Sequence, residues 1–297
     1  MMDNNAPRFS CWQACPEVDL NEIPRYSLWP SRLLELEQWN CQERTPEDIE
    51  REYHFEKYGP MLELLRDNAD INNAAELFTK VHGERDFICC YERQFRRLTG
   101  SEANTLKYSI FSHCIKRYLP AGAVVDIGAG IGDIALFLAV EFLKNEPLPI
   151  YALEKMPNAV KIMQLLAERQ KVPLNTGFCD FNTEAITEAP VPPDALLYTS
   201  SSVYLQTRST AEIVNSLKKL KPKVVLHFEP FTSFFDLNTI YGLLCHKYAL
   251  KNRHNMHFDS DLFQLNGRSI DIIEQRPLLF GNNPFFPVSL IAWKPRY

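Results

Sequence analysis

The stretch Val124-Val125-Asp126-Ile127-Gly128-Ala129-Gly130-Ile131-Gly132-Asp133 constrains the fold more than any other part of the chain. An apolar run at 123–127, suited to a strand, leads into three glycines at alternate positions, and residues 134–144 then have the composition of a helix. Glycines at this spacing let the backbone turn tightly and let a ligand approach it without Cβ atoms in the way. A strand, a tight turn and a helix in that order predict a site for a nucleotide-type ligand.

The texture on either side agrees. Strand-like runs at 150–153, 175–179, 195–199 and 224–228 alternate with helix-like runs at 158–170 and 210–219. Alternation of this kind implies a parallel sheet covered by helices on both faces, hence an α/β fold. The end of the chain differs, because 269–274 and 288–293 read as strands with no helix between them, so they can pair antiparallel at the sheet edge. Between them Asn282-Asn283-Pro284-Phe285-Phe286-Pro287 predicts a rigid loop that could help close a pocket.

The first hundred residues read differently. Pro7, Pro16, Pro24 and Pro30 lie among Trp12, Tyr26 and Trp29, an arm too irregular for regular elements and too aromatic to be left unpacked. Thr45-Pro46-Glu47-Asp48 supplies an N-cap hydroxyl, a first-turn proline and dipole-favoured carboxylates, so a helix should begin at about Pro46 and stop before Gly59-Pro60. Further helices are predicted at 61–68, 74–82 and 85–98, followed by one capped by Ser101, with Leu106, Ile110, Cys114 and Tyr118 on one face. The expected division is an arm and helical cap over 1–100 and an α/β domain over 101–297.

Composition removes several classes. A net charge of −5 supplies no global field for nucleic acid or anionic membranes. The longest clean apolar run, 134–140, is far shorter than the roughly 20 residues of a membrane helix, so a cytoplasmic protein is expected. The eight cysteines are read as reduced thiols. Cys11-x3-Cys15 has no second pair and His254-x2-His257 no carboxylate context, so no metal site is expected; hydrolase and phosphate-loop motifs are absent.

Two details of the glycine motif select the ligand. A dinucleotide fingerprint needs a small residue where this chain has Asp133, whose carboxylate would face a pyrophosphate. Asp126, two residues before Gly128, instead completes D/E-x-G-x-G-x-G, with Gly130 and Gly132 as its later glycines. There the chain resembles the class I, Rossmann-like S-adenosylmethionine-dependent methyltransferases over roughly residues 102–297. The resemblance implies a seven-stranded, mostly parallel sheet with an antiparallel last strand, an N-terminal cap over the cofactor, and S-adenosylmethionine as that cofactor. It also implies that Asp126 suits the ammonium end of the ligand and that Glu154 accepts from the ribose hydroxyls. Asp180 would read the adenine amino group, with Phe178 or Phe181 stacked on the ring.

The same resemblance places Tyr198-Thr199-Ser200-Ser201-Ser202-Val203-Tyr204 at the mouth above the reactive methyl. The D/N-P-P-Y/F signature of amino-group methyltransferases is absent, which argues against nucleic-acid N-methylation. Tyr198, Tyr204, His227 and Glu229 are the candidate catalytic residues; an imidazole can act as a base near neutral pH, and alternation puts His227 and Glu229 on one strand face. The expected function is methyl transfer to a small-molecule acceptor, in secondary metabolism. Two alternatives share the pocket: a cyclase of the azetidine-2-carboxylate synthase type that releases methylthioadenosine, and a regulatory protein that binds the cofactor without turnover.

Overall fold

The computed structural model describes residues 9–37, 45–143 and 148–297. Pro7, Cys41 and the last residue of the helix expected at 134–144 lie outside them. Helices α1 (Ser10–Ala14) and α2 (Trp29–Leu33) belong to the arm. The cap follows with α3 (Pro46–Arg51), a π turn over Glu52–Lys57, α4 (Tyr58–Asp67) and α5 (Ala74–His82). Strands β1 (Asp86–Tyr91) and β2 (Gln94–Thr99) lead into α6 (Gly100–Lys116). Then come β3 (Val124–Ile127), α7 (Asp133–Leu143), β4 (Ile150–Leu153), α8 (Pro157–Gln170), β5 (Asn175–Gly177) and β6 (Leu196–Ser200). After these lie α9 (Thr210–Lys219), β7 (Val224–Glu229), α10 (Ile240–Lys251), α11 (Phe258–Leu265), β8 (Ile270–Gly281) and β9 (Val288–Pro295).

These strands form one nine-stranded sheet in the order β2-β1-β8-β9-β7-β6-β3-β4-β5. The run β5-β4-β3-β6-β7 is parallel, with its order reversing between β3 and β6, the doubly wound arrangement in which ligands bind beyond the carboxyl ends of the strands at the switch point. β9 runs antiparallel to both β7 and β8. Successive residues alternate between two cores: Val124, Leu196, Leu226 and Phe228 pack under α6, α7 and α8, while Val125, Leu197, Val225 and Trp293 pack under α9 and α11. Burial on both sides explains why β3 and β7 read as nearly unbroken apolar runs.

Three expectations need correction. The stretch 85–98 is a β-hairpin that extends the expected seven strands to nine, through Cys90 opposite Gly281 and Tyr91 opposite Phe280. Its turn residues Glu92 and Arg93 have φ of 48° and 68°, conformations usually supplied by Asn or Gly, so the turn carries no sequence signal. The helical segment from Pro46 does not stop before Gly59-Pro60: the wide π turn sits just ahead of Pro60, where the missing N–H would interrupt an α-helical ladder, and the chain continues into α4. The strands β8 and β9 pair antiparallel as expected, yet neither is at the edge; β9 is inserted beside β7, and the hairpin covers β8. A smaller shift concerns α6, whose N-cap is Thr99 in a capping box with Glu102, worth about 1 kcal/mol, and not Ser101.

The arm does pack. Trp12 is buried edge-on against Tyr91 at 5.6 Å, and the Arg96 guanidinium of β2 lies 5.6 Å from the Trp12 ring centroid while donating to the carbonyls of Gln13 and Cys15.

Candidate active site

A cavity of about 770 Å³ opens beyond the carboxyl ends of the parallel strands and is roofed by the cap. The floor is the turn after β3. Gly128 and Ala129 donate their N–H groups to the Leu153 carbonyl at 2.9 Å, which fixes the turn against the end of β4. The Gly130 N–H points to Glu154 and donates to its Oε2 at 2.8 Å. Gly130 has φ of 56°, and a Cβ built there would stand 3.2 Å from the Tyr58 hydroxyl of the cap. Gly132 serves packing instead, since a Cβ there would meet the Met163 side chain of α8 at 2.7 Å.

Glu154 ends β4 and forms part of the wall. Burial pushes its carboxyl above the usual range, opposed by N–H donation from Met156 to Oε1 at 3.0 Å, from Gly130, and from Lys155 to Oε1 at 2.8 Å. Asp180 and Phe181 follow β5 and also face the cavity, Phe181 lying beside Gly128. Phe178 is 57% exposed and lies outside the wall, so the inward ring is Phe181. Lys155 reaches Asp180 at 3.3 Å and the cap residue Glu50 at 3.4 Å, tying the end of β5 to α3.

Asp126 and Tyr198 are register partners on β3 and β6, and the Tyr198 hydroxyl donates to Asp126 Oδ2 at 2.7 Å. Both are buried beneath the turn, and Asp126 Oδ1 has no partner. Burial raises the Asp126 carboxyl well above the ordinary range, so a cation arriving nearby would restore its charge.

Glu229 ends β7 in full burial and organises the loop after β6. It accepts from the Ser202 N–H at 3.0 Å and the Val203 N–H at 3.3 Å, which holds Ser202 against Gly128. Desolvation raises its pKa to about 7 against those backbone donors and the Thr199 hydroxyl. Thr199 also bonds His227 Nδ1 at 2.9 Å, so with the hydroxyl donating to Glu229, Nδ1 carries the imidazole proton and the partnerless Nε2 the lone pair. His227 is sealed between Phe258 and Trp293, and desolvation lowers its pKa to about 3. Tyr204 is likewise behind the wall, hydrogen-bonded to Tyr53 and packed on His254 at 4.5 Å.

The structure therefore gathers Gly128, Gly130, Glu154, Asp180 and Phe181 around the cavity and sets Asp126, Gly132, Tyr198, Tyr204, His227 and Glu229 one layer behind it. Of the arm and cap aromatics expected as lining candidates, Tyr53 and Tyr58 line the cavity, while Trp12, Tyr26 and Trp29 do not. Sequence reasoning missed two wall lysines: Lys107 of α6 meets Asp133 at 2.5 Å, and Lys155 bridges two elements. Lys107 neutralises the carboxylate on which the exclusion of a pyrophosphate rested. Its position one turn before Phe111 on α6 was the available signal.

Five parallel strands around a reversal at β3 and β6, an antiparallel β9 inserted before β8, and an acid-glycine turn beside a strand-end glutamate occur here together. This is a doubly wound, Rossmann-like α/β fold. The sequence matches no protein-family model and no curated protein. Solved structures similar to it include a point mutant of MtNAS in complex with S-adenosylmethionine, at 9% identity and a TM-score of 0.48 over 84% of this chain and 77% of that one. Others are the CcbJ methyltransferase from Streptomyces caelestis, at 8% identity and 0.46 over 64% and 90%, and a protein of echinomycin biosynthesis that converts a disulfide bond into a thioacetal group, at 14% and 0.44 over 63% and 81%.

Proposed function

We propose that this protein binds S-adenosylmethionine and transfers its methyl group to a small-molecule acceptor inside the capped cavity. The observation that carries the reading is the single chamber in which the Tyr58 hydroxyl meets the glycine turn beside Glu154. Its volume lies in the upper part of the range for small-molecule sites, room for a nucleoside cofactor and a second small molecule. The residues fit the cofactor: a Cβ at Gly130 would crowd the cradle, Asp126 keeps an unpartnered buried oxygen under the turn, and Glu154 presents a carboxylate at its rim.

The bound cofactor supplies a methyl group already activated on a sulfonium. Glu154 would hold the ribose hydroxyls, Phe181 and Asp180 the adenine, and Asp126 the negative potential beneath the ammonium end. Tyr53, Tyr58 and Phe78 close the cap side and exclude water, leaving alignment of donor and acceptor as the main requirement. Glu229 and Tyr204 act as positioning residues: Glu229 fixes the loop that carries Ser202, and Tyr204 holds the Tyr53 hydroxyl. His227 supports Glu229 through Thr199.

Mass spectrometry after incubation with S-adenosylmethionine tests the reading. Acceptor-dependent formation of S-adenosylhomocysteine is expected. Methylthioadenosine formed without any acceptor would establish the cyclase instead, and tight binding with no product across a broad acceptor screen would establish the regulatory binder.

A further inference from the structure

The cavity is divided by charge. Its acidic and basic wall residues come from the cap (Glu50, Glu56, Lys57, His82), from α6 (Lys107), and from the turn and strand ends at β3, β4 and β5 (Asp133, Glu154, Lys155, Asp180). The wall beyond β6, β7, β9 and β8 contains none among the described residues. That half is built from Ser200, Leu205, Gln206, Asn282 and Phe286, with the buried Phe111, Phe280 and Val288 at its base. The nearest charge along α6, Lys107, is committed to Asp133 at 2.5 Å.

The aromatic members of this half are held from behind. Phe111 is stacked on Phe228 with ring centroids 4.2 Å apart and planes 13° from parallel. Phe286 is boxed by Tyr204 at 5.3 Å, His254 at 5.2 Å and Tyr248 at 5.6 Å. Gln206 is anchored by its own donation to the Ser202 carbonyl at 3.0 Å, and Asn282 opens the loop whose Asn283 carboxamide accepts from the Phe285 N–H at 3.0 Å. Phe111 and Phe280 are almost fully buried, whereas Phe286 is half-buried, and a ring fixed before a ligand arrives loses little freedom on binding, so the open face of Phe286 is available for affinity. A formal charge brought into this half would lose its hydration and meet no countercharge in the wall, since the Glu229 carboxylate behind Ser202 is already engaged by backbone N–H groups.

We propose that the acceptor is an uncharged, largely aromatic small molecule bound over the β6–β9 half of the sheet against Phe286 and Leu205, with Phe111 and Phe280 buried behind them and Asn282 and Gln206 reading a single polar group. This proposal rests on the methyltransferase reading, which assigns the opposite half to the cofactor. On this view the Asn282–Pro287 loop presents one amide and one ring to the acceptor.

The test uses the full chain saturated with S-adenosylhomocysteine and three matched probes, 4-ethylphenol, 4-ethylbenzoate and 4-ethylbenzylammonium, titrated by ligand-observed NMR. The phenol is expected to bind at least tenfold more tightly than either ion. Phe286→Ala should weaken the phenol at least tenfold, and Asn282→Lys, at an exposed position, should reverse the order in favour of the benzoate. Either ion binding as tightly as the phenol, no probe binding at all, or Phe286→Ala leaving phenol affinity unchanged would overturn the proposal while S-adenosylhomocysteine still binds. Failure of the wild-type protein to bind S-adenosylhomocysteine would overturn the underlying reading, and this one with it.

Discussion

The Tyr58 hydroxyl stands 3.2 Å from the point a Cβ on Gly130 would occupy, so the cap and the glycine turn are fitted to each other at the proposed cofactor position. Gly130→Ala meets two penalties there, the positive φ, about 1–2 kcal/mol, and the crowding against Tyr58. The variant should melt earlier and bind S-adenosylhomocysteine at least tenfold more weakly. Adding Tyr58→Phe should recover the crowding part of the lost stability and none of the backbone part. Equal melting of the single and double variants would show that the cap does not bear on the turn.

Glu154→Ala removes the acceptor for three backbone N–H groups and the carboxylate proposed to hold the ribose. Charge-assisted hydrogen bonds of this kind are worth enough that cofactor affinity should fall by about 2–4 kcal/mol. Isothermal calorimetry with S-adenosylhomocysteine, alongside circular dichroism to confirm folding, measures it; an unaffected dissociation constant would place the cofactor elsewhere.

Two buried groups give opposite pH dependences. Glu229 has its pKa raised from 4.5 to about 7, so the folded state binds more protons than the unfolded chain between those values, and this group's stabilising contribution is lost as pH rises through that window. His227 has its pKa lowered from 6.5 to about 3, so the unfolded chain binds more protons between those values, and stability is lost as pH falls from about 6.5 toward 3. Chemical denaturation across this range should show Glu229→Gln gaining stability relative to the wild type at pH 8 compared with pH 4.5, and His227→Phe unfolding in acid at a lower pH. Parallel curves for wild type and both variants would contradict these assignments.

A chain starting at Ser101 loses more than a roof. It loses β1, whose pairing covers the outer edge of β8 at Cys90 and Tyr91, together with Met61, Leu62, Leu65 and Leu77, which are buried in the same core as α6 and α8. An exposed strand edge beside uncovered apolar surface favours association. Size-exclusion chromatography should therefore find the truncated chain aggregated and inactive; a monomer with full turnover would show the hairpin and cap to be dispensable.

The turn at 128–132, the alternating strands and helices after it, and the acid at the end of β4 were all legible because each is a local consequence of residue type: glycine permits positive φ, β-rich apolar runs favour buried strands, and the strand end defines where a side chain meets the ligand. The helix at Pro46 and the capped end of α5 at Gly83 were legible for the same reason. What the sequence could not decide was which faces meet. The hairpin at 86–99 reads as a helix until β8 offers it an edge, because its two turn residues take positive φ without the glycine or asparagine that would announce it. His227 and Glu229 look catalytic in a strand-end motif, yet the packing of Phe258 and Trp293 shuts His227 away and the loop after β6 turns its N–H groups onto Glu229. Lys107 and Lys155 have ordinary surroundings in the sequence and reach the cavity through long-range contacts between cap, α6 and strand ends. Local backbone chemistry determined where a ligand could approach, and the tertiary burial of charge and aromatic surface decided which side chains face it.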